Sequence, residues 1–190
     1  MSGRPTDLSG GAGIVAAIGI GSNLGDRETT ISAALTDLDR LPQTRLDRVS
    51  RLHETEPVGP PGQGPYLNGA ALLRTTLPPR RLLEALLAIE RSFGRDRANE
   101  VRHGPRTLDL DLLLYGDLVL DEAGLTIPHP RMTERRFVLE PLSEVGGELM
   151  HPVHGASVDS LRRAVATAGR AGVPSDRDEA TSDAEANRIV

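Results

Sequence analysis

Two aspartates that are separated by one residue give this sequence its clearest chemical signal. Asp109 and Asp111 belong to the apolar run 108–115, which has the composition of a buried strand. Because residues two apart in a strand share a face, both carboxylates point one way and the alternating leucines point into the core. Adjacent carboxylates repel each other unless positive charge lies between them. Mg²⁺ suits such a pair, since it takes one or two carboxylates and completes its shell with water and substrate phosphates; the alternative is an exposed edge strand with solvated acids.

An arginine-rich loop precedes these aspartates. Four arginines stand there against Asp96 and Glu100, which leaves a local surplus of two positive charges. Such a loop beside a metal site suits a triphosphate, because the metal bridges phosphate oxygens and arginines stabilise charge on the transferred group. The pattern favours phosphoryl-type transfer over the alternative, an ordinary basic surface loop. The four residues are Arg95, Arg97, Arg102 and Arg106.

Two further segments carry weaker signals. The loop 54–68 is long for a compact domain, and such loops are usually functional. Tyr66 offers an aromatic face there, while Thr55 and Asn68 could read the polar edge of a flat heterocycle; turn-rich loops of no special function have the same composition. His129 lies between two prolines that hold its backbone rigid, and it is either a donor to a phosphate oxygen or a turn histidine.

The composition excludes several classes of protein. The 190 residues are 38% apolar and 26% charged, which indicates one soluble domain with a real core. No stretch approaches the length of a membrane span, and the absence of cysteine and of an export signal predicts a cytoplasmic protein. Four aromatic residues and a net charge of −5 argue against a nucleic-acid-binding protein. Lysine is absent, so any anion site uses guanidinium groups.

The element pattern predicts a ferredoxin-like fold. We expect a disordered head over 1–13, a single domain over 14–169 and an acidic disordered tail over 170–190. Within the domain, the periodicity predicts an α/β (α+β) sandwich with the order β-α-β-β-α-β. The expected elements are a strand over 14–20 closed by a turn at 21–23, a helix over 26–40 capped by Asp26, strands over 46–55 and 66–75, a helix over 78–93 that Pro78 and Pro79 open and Gly94 ends, and a strand over 108–115. Residues 117–160 are expected to hold short strands and turns, with a small helix near 157–168.

Four sequence blocks, in this order, resemble one enzyme family. They are GSNLGD (21–26), ETEPVG and PYLN within 54–68, GPRTLDLDLLLYG (104–116) and IPHPRMTERRFVLEPL (127–142). The chain resembles the 6-hydroxymethyl-7,8-dihydropterin pyrophosphokinase family of folate biosynthesis over about residues 14–154. The resemblance implies a ferredoxin-like α/β sandwich, in agreement with the element order.

The family resemblance also implies a reaction. Such an enzyme moves the β,γ-diphosphate of ATP onto the hydroxymethyl oxygen of 6-hydroxymethyl-7,8-dihydropterin and releases AMP. It uses two Mg²⁺ ions, acts in the cytoplasm, is usually a monomer, and needs no nucleic acid or membrane partner. The alternative from the residues alone is another Mg²⁺-dependent phosphoryl or nucleotidyl transferase that uses Asp109 and Asp111. A ferredoxin-like RNA-binding module is disfavoured, because the sequence lacks sheet aromatics and places acids on what we expect to be a central strand.

The same resemblance assigns roles to individual residues. Asp109 and Asp111 would bind the metal ions and, with Arg95 and Arg106, form the catalytic set. The implied nucleotide-binding residues are Arg97, Leu112, His129 and Arg135, and the implied pterin-binding residues are Thr55, Val58 (through its backbone), Tyr66, Asn68 and Phe137. The chain departs from many relatives at His103, where tryptophan is frequent, and at Arg136, where a small glycine is common.

Overall fold

A computed structural model describes residues 13–57, 61–95 and 104–170 of the chain. The predicted disordered head and tail lie outside these residues, except for Gly13 and Arg170. The division into head, domain and tail therefore stays a prediction.

One antiparallel sheet carries the fold. Its strands are β1 (Ile14–Ser22), β2 (Thr44–Val49), β3 (His53–Thr55), β4 (Tyr66–Thr75) and β5 (Asp109–Tyr115). The order across the sheet is β2-β4-β1-β5, and β3 also pairs with β4. This order, with helices α1 (Arg27–Asp39) and α2 (Pro79–Ser92) as the two crossovers, is that of the predicted ferredoxin-like arrangement. The prediction of the fold class is confirmed.

The sheet separates two apolar cores. On one face, Ile18 and Ile20 of β1 pack with Ile31 of α1 and Leu86 of α2. On the other face, Ala17 and its neighbours pack with α3 (Arg136–Gly146) and α4 (Val158–Arg170). Because successive side chains of a strand point to opposite faces, a strand covered on both sides reads as a continuous apolar run, as residues 14–20 do.

The helix boundaries follow local sequence signals. Asp26 caps α1, since its carboxylate accepts hydrogen bonds from the backbone N–H of Thr29 (3.1 Å) and from its hydroxyl (2.7 Å). Pro79 occupies the first turn of α2, where its missing N–H leaves no donor unsatisfied. Gly94 follows this helix with a φ of +82°, a conformation that favours glycine. These three predictions are confirmed.

Two strand predictions need correction near the sheet centre. The strand over 14–20 continues to Ser22, because Gly21 pairs with Asn68 on one side and Asp109 on the other; the turn begins only at Asn23. The single strand expected over 46–55 is two strands, β2 and β3, which both pair with β4. Ser50 lies in the break, where its N–H donates to the carbonyl of Ala70 (2.9 Å).

The region 117–160 contains more helix than the sequence predicted. Strands β6 (Leu120–Glu122) and β7 (Leu125–Ile127) form a hairpin, as do β8 (Met150–His151) and β9 (Ala156–Ser157). The prediction missed α3, an eleven-residue helix with Pro141 inside it. Its apolar residues Val138, Leu142 and Val145 recur at helical spacing, but a proline removes one backbone donor and usually indicates a helix end. The last helix, α4, agrees with the small helix expected near 157–168.

Strand β5 lies at an edge of the sheet, not at its centre as expected. Its two aspartates are nevertheless half-buried, because side chains of neighbouring segments cover that edge. Among the described residues, no helix has both the length and the apolar character that are needed to cross a membrane.

A cluster around Glu144 joins α3 to the start of β3. The Glu144 carboxylate accepts hydrogen bonds from the backbone N–H and the guanidinium of Arg51, both at 2.9 Å, and lies 2.9 Å from His53 Nε2. The hydrogen bond from the Arg51 side chain is the main reason that the pKa of Glu144 falls to about 2; burial opposes it, and His53 adds to it. Because this pKa is lowered, the stabilisation is fully present above the ordinary carboxyl pKa and is lost as pH falls towards 2.

We expect Glu144→Gln to lower the free energy of unfolding at pH 7 by about 1 kcal/mol, since the partner Arg51 is exposed and solvent screens the pair. Thermal unfolding from pH 7 to pH 2 checks this, because the difference from the wild type should shrink between pH 4.5 and pH 2. Glu148→Gln is the control: its contact with Arg48 is looser, at 3.6 Å, and exposed. A constant difference across this pH range would contradict the prediction.

Candidate active site

A cavity of about 440 Å³ opens on the sheet face that α3 covers, beside the first residues of that helix. Strands β1, β3, β4 and β5 supply one side of the lining, and the segment from Arg131 to Val138 supplies the other. Residues from all four of the sequence blocks named above therefore meet in one place. The cavity is large enough for a small organic ligand.

Two glycines of β1, Gly19 and Gly21, belong to the floor of the cavity. β1 lies between β4 and β5, so Asn68 borders this floor on one side and Asp109 on the other. A Cβ atom on Gly21 would lie 3.1 Å from Asn68 Oδ1 and 3.8 Å from Tyr66 Cδ1. Because Gly21 has no side chain, the space between Asn68 on one side of the cavity and Asp109 on the other stays open.

If the cavity holds the pterin that the family resemblance implies, we expect Gly21→Ala to weaken its binding by at least about tenfold while the protein remains folded, because a new methyl group would crowd Asn68 and take ligand space. Equilibrium titration with 6-hydroxymethylpterin, together with the circular dichroism spectrum, checks both parts. A folded variant with wild-type pterin affinity would show that the floor does not limit the ligand.

One wall of the cavity combines aromatic rings with a hydrogen-bonding pair. Tyr66 and Asn68 come from β4, Thr55 from β3 and Phe137 from the start of α3. Asn68 Nδ2 donates to Thr55 Oγ1 at 2.7 Å, which fixes the amide so that its oxygen remains an acceptor. Tyr66 donates its hydroxyl hydrogen to the carbonyl of Gly104 at 3.1 Å. The wall can stack on a flat ring and bind polar groups on the edge of that ring.

The opposite wall carries the two aspartates. Asp109 accepts hydrogen bonds from Arg95 at one carboxylate oxygen and from Arg106 at the other, the latter at 2.9 Å. Burial raises the pKa of Asp109, but the charges and hydrogen bonds of Arg106 and Arg95 outweigh it, so the pKa lies below its usual value. Asp109 is therefore ionised at neutral pH.

Asp111 has a different environment. Among the described residues, no hydrogen bond or ion pair reaches its carboxylate, although it lines the cavity. Burial, followed by the charge of Asp109, raises the pKa of Asp111 to about 6. A half-buried carboxylate beside a second one is an unfavourable arrangement that a cation would relieve.

The donor set fits Mg²⁺. Within the described ranges, no group of three or more His, Cys, Asp or Glu residues could hold a metal ion, so a metal on this wall would take Asp109 and Asp111 as its carboxylate ligands among the described residues. Hard oxygen ligands, few in number and next to a cavity, are typical of Mg²⁺ sites that leave positions for water and for substrate phosphates. The residues therefore fit the predicted metal.

Four arginines line the rim and the aspartate side of the cavity. Arg136 is exposed and pairs with Glu140 at 2.8 Å. Arg135 lies 5.6 Å from the centre of the Phe137 ring. Burial, followed by the charge of Arg131, lowers the pKa of Arg135, as expected for cations crowded around an anion site. The four are Arg106, Arg131, Arg135 and Arg136.

The predicted site residues fall into three groups. The cavity brings together Thr55, Tyr66, Asn68, Arg106, Asp109, Asp111, Arg135 and Phe137. Three others lie nearby but do not line it: Arg95 is 8% exposed and contacts Asp109, Leu112 is buried in the core, and His129 donates its backbone N–H to Leu113 at 2.9 Å. Val58 and Arg97 lie outside the described residues, as does His103.

The side chain of Leu112 lies away from the cavity. Its side chain is 5% exposed and packs with Leu108 and Leu110 in the core that α1 and α2 cover. Residues two apart in a strand share a face, so the leucine that alternates with the aspartates cannot also point into their cavity. A nucleotide could meet only the backbone of this residue.

Several residues that build the site were not predicted from the sequence. Asn23 joins two loops: its Oδ1 accepts the N–H of Arg106 at 2.6 Å, and its Nδ2 donates to Gln63 at 3.2 Å. Only the fold brings these segments together. Gly19 and Gly21 could have been found, because glycines two apart in a strand leave one face without side chains. Glu90 also carried a signal, since it follows Leu82 and Leu86 at helical spacing on the buried stripe of α2.

Comparison with known proteins supports these observations. The sequence model of the 7,8-dihydro-6-hydroxymethylpterin-pyrophosphokinase (HPPK) family matches residues 17–147. The chain is 47% identical over 135 residues to 2-amino-4-hydroxy-6-hydroxymethyldihydropteridine pyrophosphokinase of Pseudomonas aeruginosa, which covers 71% of this chain and 82% of that protein. It is 43% identical over 145 residues to the Bacillus subtilis protein of the same name, covering 76% and 86%.

Solved structures show the same fold. The wild-type HPPK-DHPS of Plasmodium falciparum, crystallised with pterin and p-hydroxybenzoate, aligns with a TM-score of 0.66 at 15% identity. The alignment covers 86% of this chain and 45% of that one, so the chain spans less than half of this structural relative. The family model matches residues 17–147, and the chain is 47% identical to a relative of which it covers 82%. The chain belongs to the 7,8-dihydro-6-hydroxymethylpterin-pyrophosphokinase family.

Proposed function

We propose that this protein transfers the β,γ-diphosphate of ATP to the hydroxymethyl oxygen of 6-hydroxymethyl-7,8-dihydropterin, a step of tetrahydrofolate biosynthesis. The oxygen forms a bond to the β-phosphorus, the bond from the α,β-bridging oxygen to that phosphorus breaks, and AMP and one proton leave. The single observation that carries this proposal is the cavity itself, which has an aromatic and amide wall on one side and a carboxylate and arginine wall on the other. Family membership supports the same reaction.

The aromatic wall would bind the pterin. Tyr66 and Phe137 would contact the faces of the ring, and Asn68 and Thr55 would meet its polar edge. The backbone of Val58 would complete this subsite. Such a wall selects one heterocycle, because a different ring would leave buried polar groups of the protein without partners.

The aspartate wall would bind the triphosphate. Arg95 and Arg106 already stand beside Asp109, where their guanidinium groups would stabilise the negative charge that develops on the transferred phosphates. Asp109 and Asp111 would hold two Mg²⁺ ions, which supply further charge stabilisation on the phosphate oxygens when they are bound. The side chains of Arg97, His129 and Arg135, with the backbone of Leu112, would bind the remainder of the nucleotide.

We also propose that the protein acts as a monomer in the cytoplasm, with ATP and the pterin as its only required partners. The packing of the sheet supports the monomer, because both faces of the sheet bury their apolar side chains against helices of the same chain. Sedimentation equilibrium of the purified protein tests the oligomeric state.

Analysis of the nucleotide product tests the proposed reaction. Purified protein is incubated with ATP, Mg²⁺ and 6-hydroxymethyl-7,8-dihydropterin, and AMP, ADP and pyrophosphate are separated. We expect AMP to form only when pterin is present, without free pyrophosphate. Formation of ADP would indicate an ordinary kinase, and release of pyrophosphate would indicate a nucleotidyl transferase; either result contradicts diphosphate transfer.

A further inference from the structure

Glu90 is a buried carboxylate that the proposed reaction does not use. It lies near the end of α2 and is 1% exposed, within the apolar stripe that faces the sheet. Burying a charge is unfavourable unless the charge is paired and hydrogen-bonded. The contacts of this carboxylate therefore indicate what the residue does.

The first contact is with the edge strand. Glu90 Oε1 accepts the backbone N–H of Leu110 at 2.8 Å. Leu110 lies between Asp109 and Asp111 on β5, and within the described part of the chain the one strand that pairs with β5 is β1, on the opposite edge of β5. Glu90 thus provides the acceptor that a further strand would otherwise supply, and it holds β5 at the residue between the two aspartates.

The second contact is with Arg95. The same oxygen of Glu90 pairs with the Arg95 guanidinium, which in turn donates to Asp109 Oδ1. The side chains of Glu90 and Arg95 are 1% and 4% exposed, so solvent screens their interaction little. The negative charge of Glu90 also raises the pKa of Asp111, in addition to the larger effects of burial and of Asp109.

We propose that Glu90 is a positioning residue for diphosphate transfer: it fixes β5 through Leu110 and holds Arg95 beside Asp109. This inference rests on the proposed function. Glu90 does not line the cavity and acts through Arg95 and the backbone of β5. Outer contacts of this kind orient the groups that touch the substrate, and their loss typically reduces activity or metal affinity by about 10- to 100-fold.

Glu90→Gln separates the charge from the hydrogen bond. The amide oxygen of glutamine can still accept the N–H of Leu110, but the ion pair with Arg95 is lost. We expect kcat to fall by about 10- to 100-fold, with the KM for pterin within twofold of the wild type. Titration with ATP in EDTA, without turnover or metal, should show weaker nucleotide binding because Arg95 is no longer held in place.

Glu84→Gln is the matched control. Glu84 lies on the same helix, but it is half-exposed and pairs with the exposed Arg81 at 2.8 Å. This substitution removes the same charge and should leave kcat and ATP affinity unchanged. A difference between the two variants assigns the effect to the buried contact and not to the net charge of α2.

A comparison in the Arg95→Ala background distinguishes positioning from a general structural role. If Glu90 acts through Arg95, adding Glu90→Gln to Arg95→Ala should change single-turnover rates by less than about twofold, a non-additive result. If Glu90→Gln alone fails to fold, the double variant can still be compared with Arg95→Ala. The double variant has no Arg95 guanidinium that would be buried without the Glu90 carboxylate.

Two results would overturn the inference: a Glu90→Gln enzyme with wild-type kcat, or full additivity of the two substitutions. AMP formation by the wild type tests the proposed function separately. If the wild type forms no AMP, the proposed function fails; if it does and Glu90→Gln is equally active, only the positioning role fails.

Discussion

Replacing Asp111 with alanine should abolish diphosphate transfer and leave the pterin subsite intact. Asp111 lines the cavity, and no other described residue bonds to its carboxylate. Its charge is therefore available to a cation that neutralises the phosphates. A bound metal supplies several kcal/mol of charge stabilisation in a phosphoryl-transfer transition state, so we expect kcat to fall by at least about a thousandfold. Pterin affinity should stay within twofold, because Asn68 and Thr55 bond to each other on the opposite wall.

The same substitution should make the metal-free protein more stable. A half-buried carboxylate beside Asp109 opposes folding at neutral pH, and its removal relieves that repulsion. Thermal unfolding in EDTA should show a Tm that is higher by a few degrees. Asp121→Ala, on the exposed hairpin, is the control for activity. Normal turnover by Asp111→Ala would show that this carboxylate does not hold the metal.

Arg106→Ala should reduce kcat by about 10³- to 10⁵-fold, the range known for arginines that stabilise a phosphoryl-transfer transition state. The structure gives a reason for a large effect. Asn23 holds the backbone of Arg106 through two hydrogen bonds: the Arg106 N–H donates to Asn23 Oδ1 at 2.6 Å, and the Arg106 carbonyl accepts the backbone N–H of Asn23 at 3.0 Å. The fixed backbone holds the guanidinium group beside Asp109. The side chain therefore loses little conformational entropy when it binds a phosphate.

Initial rates across ATP and pterin concentrations measure this effect. Arg80→Ala provides the comparison, because Arg80 pairs with Glu122 on the surface away from the cavity. If Arg106→Ala raised KM and left kcat unchanged, Arg106 would contribute equally to the ground state and the transition state. The assignment of Arg106 as a catalytic residue would then be wrong.

Periodicity predicted the framework of this site well. The alternation of leucine and aspartate in β5 placed both carboxylates on one face, and the order of strands and helices predicted the ferredoxin-like arrangement, although β5 was expected at the centre of the sheet and lies at its edge. Local signals were sufficient for these features, because a strand face and a helix cap depend on residues that are adjacent in the chain.

Contacts between distant segments were beyond such reasoning. Asn23 and Arg106 are 83 positions apart, and their bond exists only because β1 ends beside the start of β5. The helix α3 was missed because Pro141 suggested a break, whereas packing of Val138 and Leu142 against the sheet stabilises the helix around it. Tertiary packing outweighed the local signal there.

The glycines of the cavity floor have a consequence for inhibition and resistance. A compound that rests on Gly19 and Gly21 contacts main-chain atoms, and no substitution can remove those atoms. Adding a side chain at Gly21 would crowd Asn68, so a change that excludes the inhibitor would also hinder the substrate. Resistance substitutions would then have to occur in the walls of the cavity. For inhibitors that gain most of their affinity from the floor, the fewest substitutions would give resistance.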